Sequence, residues 1–175
     1  MHQTPPKGLH HEAYLYLYHN YDDIIMNMTP NIYLDIDGVL LANDQYAAAS
    51  SKEFLKYVLT NYPDTTYWLT THCNGDASAP VRHISHLFDE ETVELLKQIK
   101  ATSWQTAKTR GIDFTKPFLW FDDDLFYEEK ETLLSQGVLD NWIEVDLKKD
   151  PNQLGTFLQS FPIPVELAKE KDRID

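Results

Sequence analysis

A run of ten residues, Asn31-Ile32-Tyr33-Leu34-Asp35-Ile36-Asp37-Gly38-Val39-Leu40, limits the possible folds more than any other stretch of the chain. Ile32, Tyr33 and Leu34 suit a buried strand. The Asp-Ile-Asp-Gly that follows is chemically wrong for a strand interior, because an unpaired buried carboxylate is costly. The strand therefore ends there, with two acids at its tip. In open α/β sheets, ligands bind outside the carboxyl ends of the strands. Asp35 and Asp37 lie two apart, so an extended chain turns both to one side and Ile36 to the other. Gly38 allows a sharp turn and close approach to a ligand, having no Cβ to forbid positive φ. The ordinary alternative is an acidic turn after a strand, since Asp-Gly is a common turn pair.

From Asn31 onward, strand and helix patterns alternate. The first strand is expected over about residues 32–36. Ser50 or Ser51 caps a helix running to Leu59, in which Phe54, Leu55 and Val58 recur at helical spacing. Residues 65–70 read as a second strand. Residues 90–99 form an amphipathic helix with Val93, Leu96 and Ile99 inward. Pro117-Phe118-Leu119-Trp120-Phe121 is almost wholly apolar, as expected of a strand covered on both faces. Residues 128–136 read as helix with Gly137 as its C-cap, and residues 142–145 as a last strand. Asp150-Pro151 opens a final helix, with an N-cap and a proline in the first turn. Such alternation implies parallel βαβ units with right-handed crossovers, and hence an α/β fold.

The chain has 175 residues, enough for one well-cored domain and not comfortably for two. Residues 31–165 are expected to form that domain, after an N-terminal extension over 1–30 and before a charged tail over 166–175. Within the extension, Tyr14 to Tyr18 alternates weakly like a strand, and His10 and His11 read as a solvated pair. A start at Met28 would place Thr29-Pro30 directly before the first strand, so the leader reads as an appendage or as an over-extended start. The formal charge of −13 repels phosphate backbones and argues against non-specific nucleic-acid binding. Cys73 is the single cysteine, which suits a reducing compartment. No apolar run reaches membrane-spanning length, and the N-terminus lacks the pattern of a signal peptide. A cytoplasmic location is the expectation.

A second strand tip carries the same oddity. The strand at Phe118 to Phe121 ends in Asp122-Asp123-Asp124. If both strands are central and parallel, five acids converge on one edge, which would raise their pKa values. A hard divalent ion bound through oxygens resolves the conflict, and Mg²⁺ takes one or two protein carboxylates plus water and phosphate oxygens. The plainer alternative is a helix N-terminus, where acids complement the dipole. The expected second strand ends in Thr70-Thr71-His72, whose hydroxyls and backbone N–H groups suit a phosphate oxygen. Either Lys108 or Lys116 could supply an ammonium to the acidic cluster. His72, His83 and His86 are spaced 11 and 3 apart, which fits no strong metal-ligand pattern.

In chain order these features run Asp-x-Asp-Gly, Thr, Lys, Asp-Asp. The series resembles the haloacid dehalogenase superfamily of phosphohydrolases over Asn31 to about Phe161. Asp35-Ile36-Asp37-Gly38-Val39-Leu40 matches its first motif, Thr70 its second, Lys108 its third and Asp122-Asp123 its fourth. That resemblance implies a three-layer Rossmann-like parallel sheet flanked by helices. It implies that Asp35 attacks phosphorus to form an aspartyl-phosphate, and that Asp37 acts as acid and then base. It also implies Mg²⁺ held by Asp35, the backbone carbonyl of Asp37 and Asp122, with Asp123 orienting a water or ligand. Thr70, with Thr71 beside it, and Lys108 would bind phosphoryl oxygens, and Gly38 would let backbone amides approach them. The superfamily usually has a further strand between its second and third motifs, and residues 72–107 show no pattern for one.

The short link from Asp37 to the Ser50 helix leaves no room for a large cap, while residues 73–90 suit a modest lid. An open site suits a bulky phosphorylated substrate, or a lid lent by a partner or a second copy. The rival reading is a catalytically silent module of this fold that binds Mg²⁺ or a phosphorylated ligand. A second acid at Asp37 argues against it, since binding alone needs none there. A receiver domain carries its acidic pair on the first strand and its accepting Asp later, the reverse of this order. A calcium loop needs Gly at its sixth position, and Gly38 falls at the fourth.

Overall fold

The computed structural model describes residues 29–160. The expected alternation at Tyr14 to Tyr18, the His10 and His11 pair and the charged tail lie outside the described residues. In order, the elements are β1 (Asn31–Leu34), the strands β2 (Leu41–Asn43) and β3 (Tyr46–Ala47) of a small antiparallel hairpin, and α1 (Ser51–Asn61). Then come β4 (Thr66–Trp68), α2 (Ser78–Ile84), α3 (Glu90–Leu96) and β5 (Phe118–Asp122). The series closes with α4 (Tyr127–Gln136), β6 (Trp142–Glu144) and α5 (Gln153–Ser160).

Four strands pair in the order β4-β1-β5-β6. All three pairings are parallel. Parallel neighbours need long crossovers, which α1 supplies between β1 and β4 and α4 between β5 and β6. Every residue of β1 and β5 is buried, which is why residues 32–34 and 118–121 within them read as unbroken apolar runs. Alternation along them divides the core. Ile32, Leu34, Leu119 and Phe121 pack with Phe54, Leu55 and Val58 of α1, Leu96 of α3, and Leu154 and Phe157 of α5. Tyr33, Phe118 and Trp120 pack with Leu133 of α4. Phe121 meets Phe54 and Phe157 edge-on, at 5.2 and 5.6 Å between ring centres, which ties α1 and α5 to the middle of the sheet. The chain is therefore α/β, a four-stranded parallel sheet flanked by helices.

Several boundaries differ from the sequence expectations for identifiable reasons. β1 stops at Leu34 and β4 at Trp68, so Asp35 and Thr70 lie beyond their strands rather than within them. Asp122, by contrast, is the last residue of β5. Ser50 adopts a left-handed conformation (φ 60°) and its side chain does not cap α1. Its Oγ instead donates to Asn152 Oδ1 at 3.2 Å. The final helix opens at Gln153, not at Asp150-Pro151, because Asp150 Oδ1 accepts from Asn152 N (3.0 Å) and folds the chain into a turn first. Gly137 is the expected left-handed C-cap of α4, at φ 68°. Between residues 72 and 107 no strand joins the sheet. A lone parallel bridge links Tyr67 and Lys100, with Trp68 N donating to Lys100 O and Lys100 N to Thr66 O. Among the described residues, no helix is long and apolar enough to cross a membrane.

Candidate functional site

β1 and β5 are adjacent and parallel, so their carboxyl ends emerge side by side. The ladder runs one step past β1, as Asp35 N donates to Phe121 O at 3.0 Å. This fixes Asp35 next to the tip of β5. Asp35 and Asp122 are both buried, at 6% and 1% exposure, and neither could be so as an uncompensated charge. Lys108 offsets part of this charge. Its Nζ lies 3.0 Å from Asp35 Oδ2 and 2.6 Å from Asp122 Oδ2, and the lysine is itself buried. Trp120 Nε1 donates to the same Asp122 oxygen at 2.9 Å, and Asp124 N donates to Asp122 Oδ1 at 3.2 Å.

One ammonium does not balance this many acids. Burial, and then the charge on Asp35, push the Asp122 carboxyl up to about 7. Burial and Asp35 also raise Asp123. Burial alone would lower Lys108, but Asp35 and Asp122 outweigh it and the net shift is upward, so the ammonium stays charged. Asp35, Asp122 and Asp123 each offer a carboxylate oxygen, and these atoms lie within 4.8 Å of one another. An all-oxygen donor set with excess negative charge fits a hard divalent ion such as Mg²⁺. Lys108 engages Oδ2 of both Asp35 and Asp122, which leaves Asp35 Oδ1 outside that ion pair, while Asp122 Oδ1 also accepts from Asp124 N.

Gly38 holds this arrangement at close quarters. It sits at φ +73°, and a Cβ built there would fall 2.2 Å from Asp123 Oδ2. Only glycine lets the first loop pass so near that side chain. Asp37 departs from the expectation that it shares a side with Asp35. Because β1 ends at Leu34, the chain is not extended through the pair, and the two carboxylates take separate partners. Asp37 is exposed, and its Oδ2 lies 2.9 Å from Nε2 of His72. The His83 ring, carried by α2, stacks on His72 with centres 3.8 Å apart. Residues 73–90 thus reach the site through His83.

Thr70 is fully buried in the turn after β4, where its Oγ1 accepts from His72 N (3.4 Å), and Thr71 is exposed in that turn. Leu69 N donates to Leu34 O at 2.8 Å, which sets this turn beside the Asp35 loop. Of the two candidate lysines, Lys108 is the one in the cluster. Lys116 is exposed ahead of β5, at the opposite end of that strand.

Three participants have places at the site that the local sequence does not give, although His83 is among the histidines weighed there as metal ligands. Glu129, in the first turn of α4, is 2% exposed. Its Oε1 accepts from Lys108 N (2.7 Å) and its Oε2 from Phe126 N (3.1 Å). It clamps the lysine backbone to the helix. Trp120 and His83 reach the site only through the packing of β5 and α2. For Glu129 the one available hint was a Glu near a helix start, and it reads equally as dipole compensation. Comparison with protein-family models, with curated proteins and with solved structures gives no match for this chain.

Proposed function

We propose that the chain is a Mg²⁺-dependent phosphohydrolase of the haloacid dehalogenase type, built on a three-layer Rossmann-like sheet. The observation that supports this best is Lys108 Nζ standing between Asp35 Oδ2 (3.0 Å) and Asp122 Oδ2 (2.6 Å) at the tips of adjacent parallel strands. A purely structural ion pair needs one carboxylate. Two buried carboxylates on one ammonium, with Asp123 alongside, leave negative charge for a cation to neutralise.

In this reading Asp35, Asp122 and Asp123 would hold Mg²⁺, which would supply charge neutralisation. The free oxygen of Asp35 attacks phosphorus, and the bond from phosphorus to the leaving oxygen breaks. Asp37, exposed to the entering substrate, gives its proton to that oxygen. A water then attacks the aspartyl-phosphate, Asp37 takes the proton back, and phosphate and free Asp35 are released. Splitting one hard displacement into two is the use of such a nucleophile, and reversal of roles suits a neighbouring acid. Lys108 fixes the orientation of Asp35 and offsets charge on the transferring group. Thr70, Thr71 and the amides after Gly38 would bind the remaining phosphoryl oxygens. His72, 2.9 Å from Asp37, orients that carboxyl. Only the β2–β3 hairpin lies between Asp37 and α1, so the entrance is open to large phosphorylated substrates. Residues 73–90, a partner or a second copy would then act as lid.

The test is turnover of a broad panel of phosphate monoesters, with Mg²⁺ and with chelator, for the wild type and for Asp35→Asn. Uncatalysed hydrolysis of these esters is slow enough for enzymes to accelerate it up to ~10²¹-fold, so loss of the nucleophile should abolish activity. Activity surviving in Asp35→Asn would assign the nucleophile elsewhere. A folded wild type that turns over nothing would leave a Mg²⁺- or phospho-ligand-binding module.

A further inference from the structure

A second cluster beside the acidic one has different ligand chemistry. We propose that Asp37, His72 and His83 form a Zn²⁺ site that shares Asp37 with the hydrolytic machinery, so that bound Zn²⁺ inhibits the enzyme. Three separate elements bring these residues together: the loop after β1, the turn after β4, and the last turn of α2. His72 Nε2 is 2.9 Å from Asp37 Oδ2, and the His83 ring stacks on His72 at 3.8 Å with 19° between planes. One donor atom from each residue lies within 4.8 Å of the others. Tetrahedral Zn²⁺, with bonds of about 2.0–2.2 Å, needs donors roughly 3.3 Å apart. Asp37 and His72 already meet that spacing, so any closure needed falls on His83 and is at most about 1.5 Å, and His83 must turn out of the stack to aim its lone pair inward. Both are open to it, since Asp37 and His83 are exposed and can rotate without disturbing the core.

Donor type separates the two sites. Asp35, Asp122 and Asp123 offer oxygen only and suit Mg²⁺, whereas two imidazoles and one carboxylate suit Zn²⁺. Three protein ligands and an open fourth position are the usual pattern of a zinc site that also admits water or substrate. The chain's formal charge of −13 raises the local concentration of either cation. Inhibition follows from the sharing. An Asp37 carboxylate bound to Zn²⁺ has no proton to give the leaving oxygen. That consequence rests on the phosphohydrolase reading, while the binding itself does not.

The test uses untagged full-length protein in excess Mg²⁺, titrated with Zn²⁺ by calorimetry and with Co²⁺ by visible absorption. The wild type is compared with His83→Ala and with His86→Ala, an exposed histidine three residues on. Histidines elsewhere contribute equally to all three proteins and cancel. The expected result is one Zn²⁺ bound per wild-type and His86→Ala chain, with affinity about tenfold or more weaker in His83→Ala. The Co²⁺ bands of a low-coordinate site should be lost in His83→Ala alone. Equal Zn²⁺ affinity in wild type and His83→Ala overturns the proposal, as does a wild type that binds no Zn²⁺ beside Mg²⁺. Where turnover is measurable, Zn²⁺ should lower the wild-type rate and spare His83→Ala, each relative to its own Zn²⁺-free rate. A chain without turnover that still binds Zn²⁺ through His83 sinks the phosphohydrolase reading and keeps the site. Turnover with no His83-dependent binding does the reverse.

Discussion

Replacing Lys108 by Met tests the electrostatics of the cluster most directly, because the methionine keeps much of the volume and removes only the charge. The ammonium lies 3.0 Å from Asp35 Oδ2 and 2.6 Å from Asp122 Oδ2, and the three side chains are 10%, 8% and 1% exposed. Solvent screening is therefore slight. Removing one partner of a buried ion pair typically costs about 3–5 kcal/mol, which for a chain of this size lowers Tm by roughly 10 °C. The loss must depend on pH. The Asp122 carboxyl stands near 7 in the metal-free native protein against an ordinary 3.8. Between those values the native state holds a proton that the unfolded state has released, so its contribution to stability falls as pH rises. Without Lys108 that proton is held more tightly still. The deficit of the variant should be smaller near pH 5.5, where a proton already neutralises Asp122 in both proteins, and should grow towards pH 8. Urea denaturation of both proteins in chelator at the two pH values measures it. A deficit below about 1 kcal/mol, or one equal at both pH values, would refute the placement of a charged lysine between two carboxylates.

Mg²⁺ affinity should fall about tenfold per pH unit below roughly 7 and level off above it, since binding has to displace the Asp122 proton. Calorimetry in buffers of different ionisation enthalpy would count the proton released, and an affinity flat from pH 5.5 to 8 would contradict the assignment. Gly38→Ala should destabilise by about 1–2 kcal/mol and weaken Mg²⁺ binding. The alanine must accept φ +73°, and its Cβ would stand 2.2 Å from Asp123 Oδ2. Denaturation and Mg²⁺ titration of that variant check both effects. Glu129→Ala removes the acceptor of two backbone N–H groups, one of them that of Lys108. It should cost about 2–3 kcal/mol and lower kcat by about 10–100-fold with little change in KM, read from melting curves and steady-state kinetics.

What the sequence made legible follows from where the information lies. β1 and β5 are covered on both faces, so their apolar runs and their acid tips are visible residue by residue. Thr65 and Thr70 extend β4 on propensity alone, yet pairing with β1 is confined to Thr66–Trp68. Asp150-Pro151 has the composition of a helix start, but the side chain of Asp150 binds Asn152 N and makes a turn instead. The cluster itself was readable because its acids fall at or just past the ends of two strands. Its supporting contacts were not. Glu129 meets Lys108 across 21 residues and His72 meets Asp37 across 35, so only the packed sheet and helices bring them together. The choice of Lys108 over Lys116 is of the same kind, decided by which end of β5 each one occupies.

The narrow clearance at Gly38 has a consequence for motion. The side chain of Asp123 fills the space over that glycine, so the loop after β1 and the segment after β5 touch there. A cation that draws the Asp123 carboxylate towards itself would vacate that space and loosen the backbone from Gly38 to Leu41. Occupancy at one strand tip would then be felt as slackness at its neighbour, and through Leu41 at the base of the hairpin that borders the entrance.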